Sequence, residues 1–361
     1  MELRVLYLSG SQADREWAAD GLASFEEVLP GFHWCADRSA GYYNHVNPAL
    51  FRRLSPGRVD VAVFGAYYVA SMWLGMYWCR LRGIPYLMQC ESHGRRERSG
   101  WRVRAKDALI GPLVRNAAGW LPLGSLARDY LVDWGASPER CRFCPNTPDV
   151  EAMVRSVEAL PARPSLRAEW GLPTDRPVLL YVGRFIDIKR VDLLLDAYAG
   201  LRAGGTDAVL ALAGGGLREE ALRQRVRDES IPDVQFLGFV QPDRLPGLYA
   251  AADLLALPSD DEPWAVVVNE AMACGTPVVA SDRVGAAADL IVAGETGATF
   301  PAGDAAALRE ALAAGLSLDR AAASAACRTM AMAWGYDRCR ESMVELASRA
   351  CGRPWPPDGG A

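Results

Sequence analysis

Short apolar runs alternate with helix-period stretches along almost the whole chain, and this alternation limits the fold more than any other feature. In the first half, "LRVLYLSG", "VDVAVFG", "IPYLMQCES" and "GWLPLG" have strand length, with helical stretches near residues 69–83, 102–117 and 125–135. Strands buried on both faces read as continuous apolar runs, so the pattern predicts a parallel sheet covered by helices on both sides. The alternation pauses at "EALPARPSLRAEWGLPTDRP" (158–177), where four prolines and mixed charge predict a linker or domain edge. It resumes with "PVLLYVG", "AVLALAGG", "VQFLG", "DLLALPS" and "TPVVAS", and behind "GRFIDIKR" the residues Val191, Leu194, Leu195, Tyr198 and Leu201 keep helical spacing. The expected architecture is α/β, with two Rossmann-like domains facing across a cleft: residues 1–163 and 164–334, a helix over about 335–350 packing back on the first, and a tail at 352–361. Ligands in such sheets bind beyond the carboxyl ends of the strands, where the glycine-rich turns fall here.

Composition excludes several classes. With 361 residues, half of them apolar, and a net charge of −5, the chain reads as a soluble two-domain protein and not as a nucleic-acid binder, whose domains are usually basic. Nine cysteines, an odd number without paired spacing, read as reduced thiols in a cytoplasm. "CRFC" (Cys141, Cys144) has no second pair to complete a zinc site, so no metal is expected from it. The apolar start "MELRVLYLSG" is interrupted by Arg4 and lacks a cleavage-like site, so no signal peptide is expected and the protein is placed in the cytoplasm. The uncharged stretch 61–79 approaches the length of a membrane span, yet Gly65, Tyr67 and Tyr68 divide it into a strand (59–64) and a helix starting near Val69.

Three places carry candidate chemistry. Gly183 and Arg184 end one strand and Lys189 follows just before a helix, two positive charges between which a diphosphate fits; two ordinary surface cations would look the same. "AGGG", with Gly214 and Gly215, permits close backbone approach to a ligand. Neither turn matches the G-x-G-x-x-G dinucleotide fingerprint, which argues against a nicotinamide dehydrogenase. In "EPWAVVVNEAMACGTPVVAS" a helix starting near Ala265 leaves Glu262 in the preceding loop and Glu270 on its first turns. Both carboxylates can then face one cleft, beside the unpaired amides of a helix start that suit a phosphate. The bland alternative, Glu262 as a cap and Glu270 on a solvated face, stays open from spacing alone.

In order and spacing, "YVGRFIDIKR", "AGGG", "VQFLGFV" and "LPSDDEPWAVVVNEAMACGTPVVAS" resemble the donor-binding domain of the retaining glycosyltransferases of family 4, which have the GT-B fold. The likeness is high over residues 177–305 and weak over the N-terminal half. It implies that Arg184 and Lys189 grip the diphosphate of a nucleotide sugar, that Glu270 accepts hydrogen bonds from the ribose, and that Glu262 lies against the donor sugar. It further implies that backbone near Gly238 and Phe239 meets the nucleobase and that Ser259, Pro263 and Val266 line the pocket. The chain departs from the family pattern where Trp264 and Ala265 replace Phe-Gly, leaving a larger side chain and less backbone freedom beside the sugar. A second departure follows "IPYLMQC": Glu91 stands where relatives carry a histidine and His93 comes two residues later, so both are candidates to meet the donor sugar or acceptor. Gly10 and Ser11 occupy a first loop that in the family approaches the donor.

The resemblance implies transfer of a sugar, from UDP first and GDP second, to a hydroxyl of a small-molecule, glycan or lipid-linked acceptor with retention at the anomeric carbon. Charge growing on the leaving diphosphate needs a metal or fixed cations, and without an Asp-x-Asp motif no cofactor or metal is expected. A sugar-nucleotide epimerase, a phosphorylase and a non-catalytic sugar-nucleotide-binding module are the rival readings. The basic stretch 95–106 reads as a solvated helix face, a draw for an anionic acceptor, or a peripheral contact with an anionic membrane.

Overall fold

The computed structural model describes residues 4–7, 24, 26–30, 32–37, 42–65, 69–92 and 101–354. Gly10, Ser11, His93, residues 95–100 of the basic stretch and residues 355–361 of the tail lie outside them. The chain divides into two compact units: Met1–Pro122 with Ala127–Cys144 and Arg340–Ala361, and Leu123–Leu126 with Pro145–Cys339.

In the first unit β1 (Val5–Tyr7) pairs in parallel with β2 (Glu26–Val28), and β3 (Phe32–Asp37) pairs antiparallel with β4 (Tyr42–Val46). After α1 (Ala49–Arg53), the strands β5 (Ala62–Phe64), β6 (Tyr86–Cys90) and β7 (Gly119–Pro122) form a parallel sheet, connected by α2 (Ala70–Arg82) and α3 (Trp101–Arg115). Helix α4 (Ser125–Asp133) follows. The expected strands and helices of this half are present, and β2, β3 and β4 are additional: their charged and polar residues make no apolar run that a strand search would find. Met76, Leu87, Met88, Leu113 and Leu121 are fully excluded from solvent and form the core. The uncharged stretch 61–79 resolves into β5 and the start of α2, and no helix among the described residues is long and apolar enough to cross a membrane.

The second unit opens with α5 (Val150–Glu158) and α6 (Arg163–Glu169). Its sheet consists of β8 (Val178–Val182), β9 (Val209–Ala213), β10 (Val234–Gly238), β11 (Leu254–Leu257), β12 (Val278–Ser281) and β13 (Gly297–Phe300). All neighbours are parallel in the order β10-β9-β8-β11-β12-β13. Counted from β8 this is the 3-2-1-4-5-6 order of a doubly wound nucleotide-binding sheet, with its switch point between β8 and β11. Connections include α7 (Val191–Ala203), α8 (Glu219–Asp228), α9 (Leu245–Ala251), α10 (Val266–Ala273) and the short α11 (Ala287–Leu290). Helices α12 (Ala305–Leu316), α13 (Arg320–Ala333) and α14 (Tyr336–Cys351) close the chain.

Two boundaries differ from the sequence reading. The second unit begins at Pro145 and not at 164, because α5 packs on α9, α10 and α13. The proline-rich stretch is not a linker: α6 lies within it and packs on α9, and Arg167 is 3 % exposed. Its guanidinium donates to Asp253 Oδ2 at 2.5 Å and to the carbonyls of Ala251, Pro173 and Arg176. Asp253 also accepts from Arg163 at 2.5 Å and from the amide of Val178 at 2.7 Å, which ties α6 to the starts of β8 and β11. The end of α14, in turn, belongs to the first unit, where Ser342 Oγ donates to the Phe143 carbonyl at 2.6 Å and Arg142 pairs with Glu345 at 2.6 Å.

Because Asp253 neutralises a buried arginine, its loss leaves a charge without a partner. Asp253→Ala is expected to cost about 3–5 kcal/mol of stability, read from urea unfolding of the full chain; a loss under 1 kcal/mol would show that the backbone carbonyls alone satisfy Arg167.

Candidate active site

The switch point is where the carboxyl ends of β8 and β11 diverge, and the candidate residues of the second unit gather along that edge. Gly183 and Arg184 leave β8, and a single 3-10 turn, Asp187–Lys189, leads into α7. Ser259 and Glu262 leave β11 and lead into α10. The Lys189 ammonium and the Glu262 carboxylate form an ion pair across the switch point. Glu262 is 8 % exposed, and its Oε1 also accepts from Ser259 Oγ at 3.0 Å. Ser259 is itself buried, its carbonyl accepting from Ser281 Oγ at 2.5 Å, so its side chain orients Glu262.

Glu262 does not cap a helix. The N-cap of α10 is Ala265, with no side-chain cap, and Glu262 is held instead by backbone bonds to Arg283 and Gly285. Nor is Lys189 a free charge, as the sequence reading took it to be: its partner is the other candidate. Arg184 is the exposed cation of the set and has no ion pair among the described residues. The Tyr181 hydroxyl, buried beneath, donates to the Arg184 carbonyl at 3.0 Å; burial first, and the nearby Glu262 charge second, raise its pKa well above the ordinary value.

The glycine turn packs against this corner. A Cβ on Gly214 would lie 1.9 Å from the Gly183 carbonyl oxygen, and one on Gly216 would lie 2.7 Å from that of Phe185. The close approach these glycines permit is therefore first to neighbouring backbone, while Gly215 meets only the end of Glu219. Gly214 donates to the carbonyl of Gly238 at 2.7 Å, which brings the end of β10 into the same row, and the next residue, Phe239, is 62 % exposed.

Glu270 lies in the middle of α10, with its Oε2 accepting from the buried Tyr249 hydroxyl at 2.7 Å. Burial raises its carboxyl pKa, and the hydrogen bond from Tyr249 works in the opposite direction. It is not a solvated surface residue.

Trp264 requires a correction. Its side chain is 2 % exposed and does not stand free in a pocket: the ring lies 5.5 Å from that of Trp334, and its Nε1 donates to Asn269 Oδ1 at 2.8 Å. Only the backbone of Trp264 faces the loop, with its carbonyl accepting from Ala286. Pro263 is exposed, and Ala265 and Val266 are half-buried. Ala265 adopts φ 78°, a left-handed conformation that costs an L-residue about 1–2 kcal/mol and that glycine would adopt freely. Glu91, half-buried after β6, belongs to the first unit. Sequence reasoning passed over Tyr181, Tyr249 and Asn269; the first two resemble ordinary core aromatics, whereas a lone Asn inside "VVVNEAMA" is a legible signal. Among the described residues no three His, Cys, Asp or Glu side chains gather as metal ligands do.

Comparison with known proteins fits this edge. The family model described as glycosyl transferases group 1 matches residues 162–329, and that described as glycosyl transferase 4-like domain matches residues 2–147. The chain belongs to the family 4, group 1 glycosyltransferases. This family member is 33 % identical over 260 residues to the D-inositol 3-phosphate glycosyltransferase of Xylanimonas cellulosilytica, covering 70 % of this chain and 59 % of that one. It is 34 % identical over 229 residues to the GDP-mannose-dependent alpha-(1-6)-phosphatidylinositol monomannoside mannosyltransferase of Mycolicibacterium smegmatis, covering 53 % of this chain and 59 % of the relative. Thus the chain spans little more than half the length of these curated relatives. Among solved structures, Anabaena HepE in complex with UDP superposes with a TM-score of 0.70 at 20 % identity, covering 90 % of this chain and 86 % of that one, which establishes the GT-B fold.

Two predictions follow from the α10 region. Trp264→Phe removes a donor and leaves the buried Asn269 carboxamide unbonded, at a cost of about 1–3 kcal/mol in urea unfolding; adding Asn269→Leu is expected to restore most of it. Glu270 is neutral in folded and unfolded chains at low pH; as pH rises past the ordinary carboxyl range the unfolded chain ionises first, and the folded state loses stability until pH passes its raised folded pKa. Glu270→Gln is therefore expected to be more stable than wild type at about pH 8 and equal to it near about pH 4, by thermal melts; the reverse order would mean that Tyr249 outweighs burial.

Proposed function

We propose that this chain transfers a sugar from a nucleoside diphosphate donor to a hydroxyl of an acceptor, in the cytoplasm, with retention at the anomeric carbon and without a metal. UDP-sugars are the first donors to try and GDP-sugars the second. The observation that carries this reading is the Lys189–Glu262 ion pair at the switch point of a doubly wound sheet, with the exposed Arg184 leaving the end of β8 at the same edge. The names of the two relatives, one for D-inositol 3-phosphate and one for GDP-mannose and phosphatidylinositol monomannoside, support a hydroxyl-rich acceptor that carries phosphate, either a small molecule or a glycolipid.

In this reading Arg184 holds the diphosphate, and Lys189 turns to it when donor arrives. That move releases a Glu262 oxygen to accept from sugar hydroxyls while Ser259 keeps the carboxylate in place. Glu270 accepts from the ribose with the oxygen that Tyr249 does not use. Phe239 offers its exposed ring to the base, and the first-turn amides of α10 add partial positive charge toward the phosphates. As the glycosidic bond breaks, negative charge grows on the leaving diphosphate, and the two cations stabilise it more in the transition state than in the ground state. A donor phosphate oxygen takes the acceptor's proton, so no carboxylate nucleophile is needed. Glu91 and His93 are proposed on the acceptor side.

The test is a thermal-shift panel of nucleoside diphosphates and nucleotide sugars in EDTA, on wild type and Arg184→Ala, followed by transfer assays. One base is expected to stabilise wild type by about 2.7 kcal/mol at a hundred times its Kd, with the shift lost in Arg184→Ala. Arg184→Ala and Lys189→Ala should each slow transfer roughly a hundred- to a thousandfold while remaining folded. No shift with any nucleotide would sink the reading, and binding without transfer across an acceptor panel would favour a sensor.

A further inference from the structure

The two loops that carry Lys189 and Glu262 come from different strands, so something must hold them in register. One backbone bond does part of this: the Asp260 amide donates to the Ile188 carbonyl at 2.9 Å. The stronger link is a side chain. Arg190 Nη1 lies 3.1 Å from each carboxylate oxygen of Asp260, and Arg190 Nε and Nη2 donate to Asp192 at 3.2 Å. Arg190 directly follows Lys189, and Asp260 sits two residues before Glu262.

The backbone at this position argues that the side chain matters. Arg190 is the N-cap of α7 at φ 50° and ψ 42°, the left-handed region, where glycine would stand without strain. Four residues other than glycine have positive φ among the described residues, and two of them, Arg190 and Ala265, are the N-caps of the two helices that start from the switch point. Strain of this kind persists where surrounding contacts over-determine it, and it concentrates at functional sites. Arg190 differs from Arg184 in charge as well: two carboxylates already neutralise it, so it is not a cation waiting for phosphate.

We propose that Arg190 and Asp260 are positioning residues, a clamp across the switch point that fixes the spacing of Lys189 and Glu262 and hence the shape of the diphosphate and sugar subsites. This rests on the reading of that edge as a nucleotide-sugar site. Half-exposed ion pairs add little to global stability, so the clamp should show in ligand affinity and turnover rather than in melting temperature.

Calorimetric titration with UDP and with GDP, alongside melting curves, tests it on wild type, Arg184→Ala, Arg190→Gly, Arg190→Lys, Asp260→Asn and the Arg190→Gly/Asp260→Asn double variant. Arg190→Gly trades the ion pair for an unstrained left-handed residue and should melt close to wild type, yet bind the preferred nucleotide roughly tenfold more weakly, within the hundredfold that a 1 Å misplacement can cost in rate. Asp260→Asn should match it, and the double variant should be no worse than either single one, as for partners in one interaction. Arg190→Lys should recover part of the loss, because an ammonium replaces one contact of the guanidinium fork. Wild-type affinity in Arg190→Gly, or losses that add in the double variant, overturns the clamp, and so does a drop in melting temperature with affinity unchanged. If Arg184→Ala abolishes binding while Arg190→Gly binds as tightly as wild type, the clamp alone fails; if wild type binds neither nucleotide, the reading of the site fails with it.

Discussion

The ion pair between Lys189 and Glu262 is the interaction on which the candidate site depends. Each partner comes from a different strand end, and neither is placed well by its own loop: Lys189 follows a single 3-10 turn, and Glu262 sits in an irregular segment held by backbone bonds to Arg283 and Gly285. Their meeting requires the sheet order, since only at the switch point do β8 and β11 lie side by side while their connections run to opposite directions. The order in turn relies on the central strands β8, β9, β11 and β12, which are buried almost throughout, and on the Asp253 cluster that ties α6 to the opposite end of β8 and β11.

The same pair sets the electrostatics of the unliganded site. A lysine and a glutamate in contact largely cancel, which leaves Arg184 as the exposed cation of the set. Desolvating a charged pair is costly, and the Ser259 hydroxyl on the same carboxylate oxygen offsets part of that cost. A closed pair also keeps Glu262 from standing as an isolated, largely buried negative charge.

How much of this was legible depended on whether a residue's role is local. The strands of the second unit read directly because each is a short apolar run, and β13 escaped because "GATF" is too short and mixed to stand out. Glu262 and Glu270 were legible as a pair by spacing within one segment. That Lys189 meets Glu262 was not, since the two are far apart in sequence and only the parallel order of β8 and β11 joins them. The side chain of Trp264 was misplaced for the same reason: its partners are Asn269 in α10 and Trp334 just past the end of α13, and sequence position next to a candidate carboxylate says nothing about which way a ring turns. The proline-rich stretch misled because Pro164, in the first turn of α6, looks the same as a proline in a connector.

The way the chain leaves and re-enters its first unit has a consequence for synthesis. Residues 145–339 are nearly all of the second unit, whereas the first draws its last pieces from Ala127–Cys144 and from Arg340 onward. As the chain emerges from the ribosome, the six-stranded sheet can be complete while the earlier-made half still lacks the helix segment whose Leu346 packs against Gly119. The second unit can therefore complete its contacts before the first, which begins earlier in the sequence, has all of its own residues to pack with.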